Sequence, residues 1–183
     1  WESDKFGRNI WGTSQASNGD YAWIQHMICS MKPGKGRAAV VLPQGVLFRE
    51  KKEYEMRKQL VQSDKLECVI TLANNLFYGA GIPACLLIFR DRKPADKTGK
   101  VLMIDASGIY TAKRAQNELS SENVDTIFQL YSDFKNVEET AKVVTARDIE
   151  EKDYTLSVSR YIERKAIEIK PYTVVKQEFL AAY

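Results

Sequence analysis

The stretch Asn74-Asn75-Leu76-Phe77-Tyr78-Gly79-Ala80-Gly81-Ile82-Pro83-Ala84-Cys85-Leu86-Leu87-Ile88-Phe89 decides how this chain is read. Two apolar runs, 66–72 and 84–89, stand on either side of its aromatic pair. Each run is short, rich in Val, Ile, Leu or Phe and bounded by turn residues, so both read as buried strands. Strand connections are usually polar. This one carries Phe77 and Tyr78 ahead of a Gly-x-Gly that lets the backbone bend sharply. Rings in such a place either plug the core between strand ends or offer a platform to a flat ligand. The connection is about a dozen residues without a helical pattern, too short for a helical crossover, and it predicts antiparallel neighbours.

Upstream, the segment 1–18 has no period and mixes aromatics with Gly, Ser, Asn and Arg, which reads as a long ordered loop or a cover over a site. Asn18 or Asp20 then caps a helix reaching about Met31, with Ile24, Met27, Ile28 and Met31 as its inward stripe. Lys32-Pro33-Gly34-Lys35-Gly36 ends that helix. The run 37–42 that follows is continuously apolar after Arg37, as expected of a strand covered on both faces. A turn at 43–48 leads to a charged helix over 50–63 that presents Tyr54, Met56, Leu60 and Val61 inward. Alternation of helix and strand predicts a mostly parallel α/β sheet with helices on both faces.

Downstream, 100–105 reads as a further strand at an edge, and 106–118 as irregular. Ser120 or Ser121 caps a helix whose stripe is Val124, Ile127, Phe128 and Tyr131. Thr145 to Asp148 has the form of a capping box, and 155–162 alternates weakly like a short strand or extended arm. The remainder, 163–183, shows no pattern and reads as a tail or linker.

Composition is that of a globular domain with room for a core. No apolar run approaches the ~20 residues that span a bilayer, and no signal peptide opens the chain, so a cytoplasmic location without a membrane partner is expected. The chain does not begin with Met, and the expectation is a piece of a longer protein, cut before Trp1. Cys29, Cys68 and Cys85 lie in or beside apolar runs without C-x-x-C spacing and read as buried free thiols, and the single histidine, His26, reads as structural. No metal site is expected from so few ligands. Residues 1–100 carry 16 Lys/Arg against 10 Asp/Glu, and 101–183 carry 11 against 14. That asymmetry could help hold phosphates but is too small to establish a nucleic-acid partner. Lys51, Lys52, Arg57 and Lys58, interleaved with Glu50, Glu53 and Glu55, read as a solvated, salt-bridged face. Asp20, Asp105 and Asp148 read as caps and strand ends.

Three stretches together, GDYAWIQH at 19–26, the Lys-Pro-Gly turn running into AAVVLPQGVLFR, and NLFYGAGIPACLLIF, resemble the modification subunit of type I restriction-modification systems. VLMIDAS at 101–107, RAQNEL at 114–119 and DYTLSVSRYI at 153–162 agree, so the resemblance covers roughly 8–162. It implies an S-adenosylmethionine-dependent adenine-N6 DNA methyltransferase with a Rossmann-like, seven-stranded sheet ending in an antiparallel hairpin. It implies DNA, a specificity subunit and a restriction subunit as partners. It places Phe77, with Tyr78 beside it, where related enzymes stack a ring on the flipped base, and makes Gly79 and Gly81 the backbone that closes on that base. Arg8 falls where the chain could approach DNA or cover the cofactor. The family's glycine-rich cofactor turn and its Asn/Asp-Pro-Pro-Tyr/Phe motif are both absent from this sequence. By family order the latter would lie just upstream of Trp1. The expectation is therefore a second half of a catalytic domain over 19–162, preceded by the loop 1–18, with no catalytic residue of its own and no activity alone. Two other readings remain: a non-catalytic module that docks specificity or restriction subunits, and a methyltransferase for RNA, protein or a small molecule.

Overall fold

The computed structural model describes residues 3–78, 81–163 and 176. Gly79 and nearly all of the expected tail lie outside the described residues. Helix α1, Asp20–Ser30, is followed by strand β1, Arg37–Pro43, a 3-10 turn over Gln44–Leu47 and helix α2, Lys52–Gln62. Strands β2, Leu66–Leu72, β3, Ala84–Arg90, and β4, Lys100–Ala106, come next. Helix α3, Ser121–Asp133, strand β5, Ala141–Thr145, and the short helix α4, Ala146–Glu150, complete the order.

The sheet is open and mixed, in the order β1-β3-β2-β4-β5. β2 and β3 are antiparallel, as the length of their connection requires, with Val69 opposite Leu87 and Thr71 opposite Cys85. The expectation of a mostly parallel sheet is corrected: only β2 and β4 pair in parallel, while β1–β3 and β4–β5 are antiparallel. The helical crossover from β1 to β2 does keep those strands in one direction, but β3 returns between them. It therefore converts one parallel contact into two antiparallel ones.

Burial follows from strand order. β4, expected at an edge, lies inside the sheet, and its Leu102, Met103 and Ile104 are fully buried. The outer place belongs to β5, which the sequence reading does not contain. β1, expected to be covered on both faces, is instead the other edge, with alternating half-buried and exposed residues. Alternate residues of β4 divide between two apolar clusters: Met103 packs with α1, α2 and α4 residues, and Leu102 and Ile104 with Ile127 and Tyr131 of α3. Only those two members of the expected α3 stripe are buried; Val124 and Phe128 face open space. The weakly alternating stretch 155–162 forms no strand and holds a 3-10 turn at Val158–Arg160.

Caps are mostly where the sequence puts them. Ser120 opens α3 and Thr145 opens α4, each in a reciprocal capping box with Asn123 and Asp148. At α1 the cap residue is Gly19, with the Asn18 carbonyl oxygen Oδ1 accepting from the Asp20 N–H at 3.0 Å. Tyr21 and Gln25 of α1 are fully buried. Gln25 bridges the N-terminal loop, accepting from Trp11 N at 2.7 Å and donating to Gly12 O at 3.1 Å.

Two further readings change. Arg57 does not belong to a solvated basic face: it is 1% exposed, with Nε donating to Tyr154 O at 2.7 Å and Nη1 to Arg49 O at 2.8 Å. Glu53 of the same helix is also buried and pairs with Arg49. Helix periodicity carries both side chains inward, where main-chain acceptors and an ion pair satisfy them. Cys29 is exposed near the end of α1, whereas Cys68 and Cys85 are buried as expected. Burial pushes the Cys85 thiol up to about 12. His26 is partly buried and packs edge-on to Trp23 at 6.0 Å.

Candidate functional site

Because β1, β2 and β4 run the same way, their carboxyl ends and the start of β3 share one rim. Open α/β sheets place ligands along such a rim. The turn after β1, the aromatic connection 73–83 and the loop 107–119 after β4 all emerge there. Gln44 N donates to Pro83 O at 3.1 Å, fastening the turn after β1 to the end of the aromatic connection.

Among the described residues no helix lies between β2 and β3, and neither ring is packed inside. Phe77 is 42% exposed and Tyr78 is 96% exposed. Phe77 stands between two clefts. On one side is a groove of about 610 Å³, lined by Val41, Leu86, Ile88, Phe128 and Tyr131 among others. On the other is a cleft of about 200 Å³ against the end of β1, lined by Val41, Leu42, Pro43, Ile82 and Pro83. A plate-shaped ligand entering the smaller cleft would meet carbon surface and one ring, and the larger groove adds Phe128 and Tyr131 with Gln116, Asn117 and Glu118 at its side. A Cβ placed on Gly81 would meet nothing within 4 Å, so the space beside it is open.

The connection begins with a tight turn in which Asn75 takes φ +54°, a conformation that Asn tolerates better than most residues. Three consecutive carbonyls there, those of Asn74, Asn75 and Leu76, accept hydrogen bonds from residues 116 and 117. Asn117 Nδ2 reaches Asn74 O at 2.9 Å, Asn117 N reaches Asn75 O at 2.9 Å and Gln116 Nε2 reaches Leu76 O at 2.6 Å. Asn75 Nδ2 returns a bond to Ala115 O at 3.3 Å. Gln116 and Asn117 lie in the RAQNEL run, but the sequence reading gives them no task. Their signal is two adjacent amides in an irregular stretch after a strand end, which says nothing about which backbone they reach.

Arg8 lies apart in the N-terminal loop. Its backbone N–H and its Nε both donate to Asp4, Nε at 3.1 Å, and its guanidinium lies 4.9 Å from the Phe6 ring centre. Asp4 also accepts from the N–H groups of Phe6 at 3.1 Å and Asn9 at 2.8 Å. Burial acts to raise the Asp4 carboxyl, but these donors outweigh it and hold the group down at about 2. Arg8 is thus tied into a local knot.

At the opposite rim, Glu67 is fully buried and faces Arg90 Nε at 2.7 Å and Lys97 Nζ at 3.5 Å. Nearby, Arg37 Nη2 donates to the Tyr131 hydroxyl at 2.6 Å. Burial works to raise the Glu67 carboxyl, and the Arg90 bonds and charge, with Lys97, reverse that and bring it below its ordinary value. Among the described residues no group of His, Cys, Asp or Glu could hold a metal, and no helix is long and apolar enough to cross a membrane.

The smaller cleft beside Phe77 does not by itself fit S-adenosylmethionine. The cleft beside Phe77 is walled by carbon, without an acidic side chain for ribose hydroxyls or a glycine turn for the amino-acid end.

The fold is an open mixed α/β sheet with a ring-bearing loop over its carboxyl rim, the rim along which open α/β sheets take their ligands. The matched sequence narrows that fold to a family: residues 1–170 match the family model described as N-6 DNA Methylase, and the chain belongs to that family. It is similar to the methylase subunit of the type I restriction enzyme MjaVIII from Methanocaldococcus jannaschii, 37% identical over 156 residues, covering 84% of this chain and 26% of that protein. A similar relative is the HindI methylase subunit from Haemophilus influenzae, 30% identical over 163 residues, covering 85% of this chain and 36% of the relative. The crystal structure of a type I restriction-modification system methyltransferase subunit from Streptococcus thermophilus superposes with a TM-score of 0.82 at 28% identity, over 89% of this chain and 35% of that one. The chain spans roughly a quarter to a third of the length of these relatives.

Proposed function

We propose that this chain is part of the modification subunit of a type I restriction-modification system, a DNA methyltransferase that moves a methyl group from S-adenosylmethionine to the exocyclic amine of adenine. DNA and the specificity and restriction subunits of the same system are its partners on this reading. The five strands are then one wing of a larger Rossmann-like sheet that continues beyond the free edge of β1.

The observation that carries the site is Phe77, half-exposed between two apolar clefts at the carboxyl rim, in a chain of this family. Adenine inside a duplex is stacked on both faces, so its amine meets a methyl donor only after the base is extruded. Extrusion forfeits stacking, and a ring face at the pocket rim restores part of it. Phe77 supplies that face, Tyr78 lies next to it toward solvent and DNA, and Gly79 and Gly81 allow the backbone to close on the base. Arg8 acts through the N-terminal loop, as a DNA contact or cofactor cover. The groups that activate the amine and hold the cofactor come from other polypeptide, so this chain alone transfers no methyl group.

The test is methyl transfer by the complete subunit with its specificity subunit, with and without Phe77→Ala. Stacking of a base on an aromatic side chain is worth about 1–3 kcal/mol, so the expected loss is about 5- to 150-fold, with cofactor affinity retained. A rate within twofold of the unsubstituted enzyme refutes the stacking role. Methylation of unmodified duplex by the 183-residue chain alone refutes the assignment of catalysis elsewhere.

A further inference from the structure

A ring on a glycine-rich loop is useful as a stacking face only if its backbone is held. The connection lies outside the named strands, because β2 ends at Leu72 and β3 begins at Ala84; Phe77 takes part in a single backbone bridge, and Gln44 N holds Pro83 O at the far end. The start of the loop is held from the side as well. Residues 115–118 form a strap across the start of the loop and engage three carbonyls in succession, Asn74 O, Asn75 O and Leu76 O. The last bond matters most. Leu76 O belongs to the planar peptide unit that carries the Phe77 N–H, so fixing that oxygen fixes the plane from which the Phe77 side chain springs.

The strap is anchored in turn. Thr111 and Glu118 exchange backbone hydrogen bonds at 2.8 and 3.0 Å, closing the intervening residues into a loop, and Lys113 pairs with Glu118 at 2.5 Å. Thr111 Oγ1 lies 3.0 Å from Asn123 Oδ1, the same side chain that completes the α3 capping box with Ser120. Helix α3 is fixed to the sheet by Ile127 and Tyr131. Contact therefore runs without a gap from the core, through the α3 cap and the strap, to the peptide before Phe77.

We propose that Gln116 and Asn117 are positioning residues: their amides hold the aromatic loop so that Phe77 meets the extruded base in a preset orientation. This rests on the stacking role given to Phe77 above. Without the amides the loop would have to be ordered each time a base arrives, and that entropy would be taken from the extruded state.

The experiment places 2-aminopurine at the adenine that sequencing of methylated product identifies, and reads its fluorescence on extrusion in the complete methylase complex. Gln116→Met keeps the side-chain length and removes the donor; Gln116→Lys keeps a donor at similar reach. Loss of one neutral hydrogen bond predicts about a three- to tenfold fall in extrusion and in kcat for Gln116→Met, with cofactor affinity and Tm little changed, and recovery in Gln116→Lys. In a Phe77→Ala background Gln116→Met should cause no further fall, because the strap acts through that ring. Full extrusion by Gln116→Met, or losses that add in the double variant, overturn the proposal while leaving the stacking role intact. Full extrusion by Phe77→Ala removes the stacking role itself, and the strap proposal with it.

Discussion

Replacing Arg57 with Met tests whether its buried guanidinium is a tie between α2 and the segment after α4. Two main-chain acceptors, Tyr154 O and Arg49 O, lose their donor, and neither can be substituted away. Hydrogen bonds from a charged donor contribute about 1.5–3 kcal/mol each, so the gross loss is roughly 3–6 kcal/mol. Relief from burying a charge returns part of this, and a net loss of roughly 2–4 kcal/mol is expected. With a urea dependence of about 2 kcal/mol/M, the midpoint should fall by roughly 1–2 M. Unfolding can be followed by tryptophan fluorescence, since Trp11 packs on the larger core cluster. Arg57→Lys, with one compact donor, should fall between. Lys52→Met, on an exposed position of the same helix, should stay within about 0.5 kcal/mol. A midpoint shift for Arg57→Met no larger than that of Lys52→Met would refute the reasoning and return Arg57 to the solvent.

Glu67→Gln should cost about 3 kcal/mol, because it leaves the Arg90 and Lys97 charges facing a neutral group in a buried place. The folded Glu67 carboxyl lies below its ordinary value of 4.5. Its contribution is therefore present above that value and lost as pH falls through the lowered one. Urea midpoints measured down to acid pH should decline more steeply for the unsubstituted protein than for Glu67→Gln, and parallel profiles would refute the pairing. Under native conditions a thiol reagent should modify Cys29 quickly and spare Cys68 and Cys85, whose buried thiols are pushed well up, until denaturant is added. Rapid release of three equivalents without denaturant would contradict that burial.

The sequence by itself determined the four helices, four of the five strands and the antiparallel turn-back of β2 and β3, and it left open whether Phe77 and Tyr78 plug the core or stand at the rim. Apolar runs, caps and turn residues act within a few positions of one another, so their physics is visible in a linear string. A dozen residues without helical period leave two strands only one way to meet. Tertiary structure alone decided the rest. The 37–42 run is as apolar as an interior strand, yet among the described residues only β3 pairs with it, which leaves the other side of β1 open. The 100–105 run became interior because β5, too short to stand out in the string, paired on its far side. Arg57 reads as surface charge by residue type, although a helical projection sets it on the face of Met56, Leu60 and Val61, and Tyr154 O from 97 residues away joins the local Arg49 O in satisfying its guanidinium. The strap differs in the same way: Gln116 and Asn117 acquire their task from carbonyls some 40 residues upstream, a distance across which local sequence carries no signal.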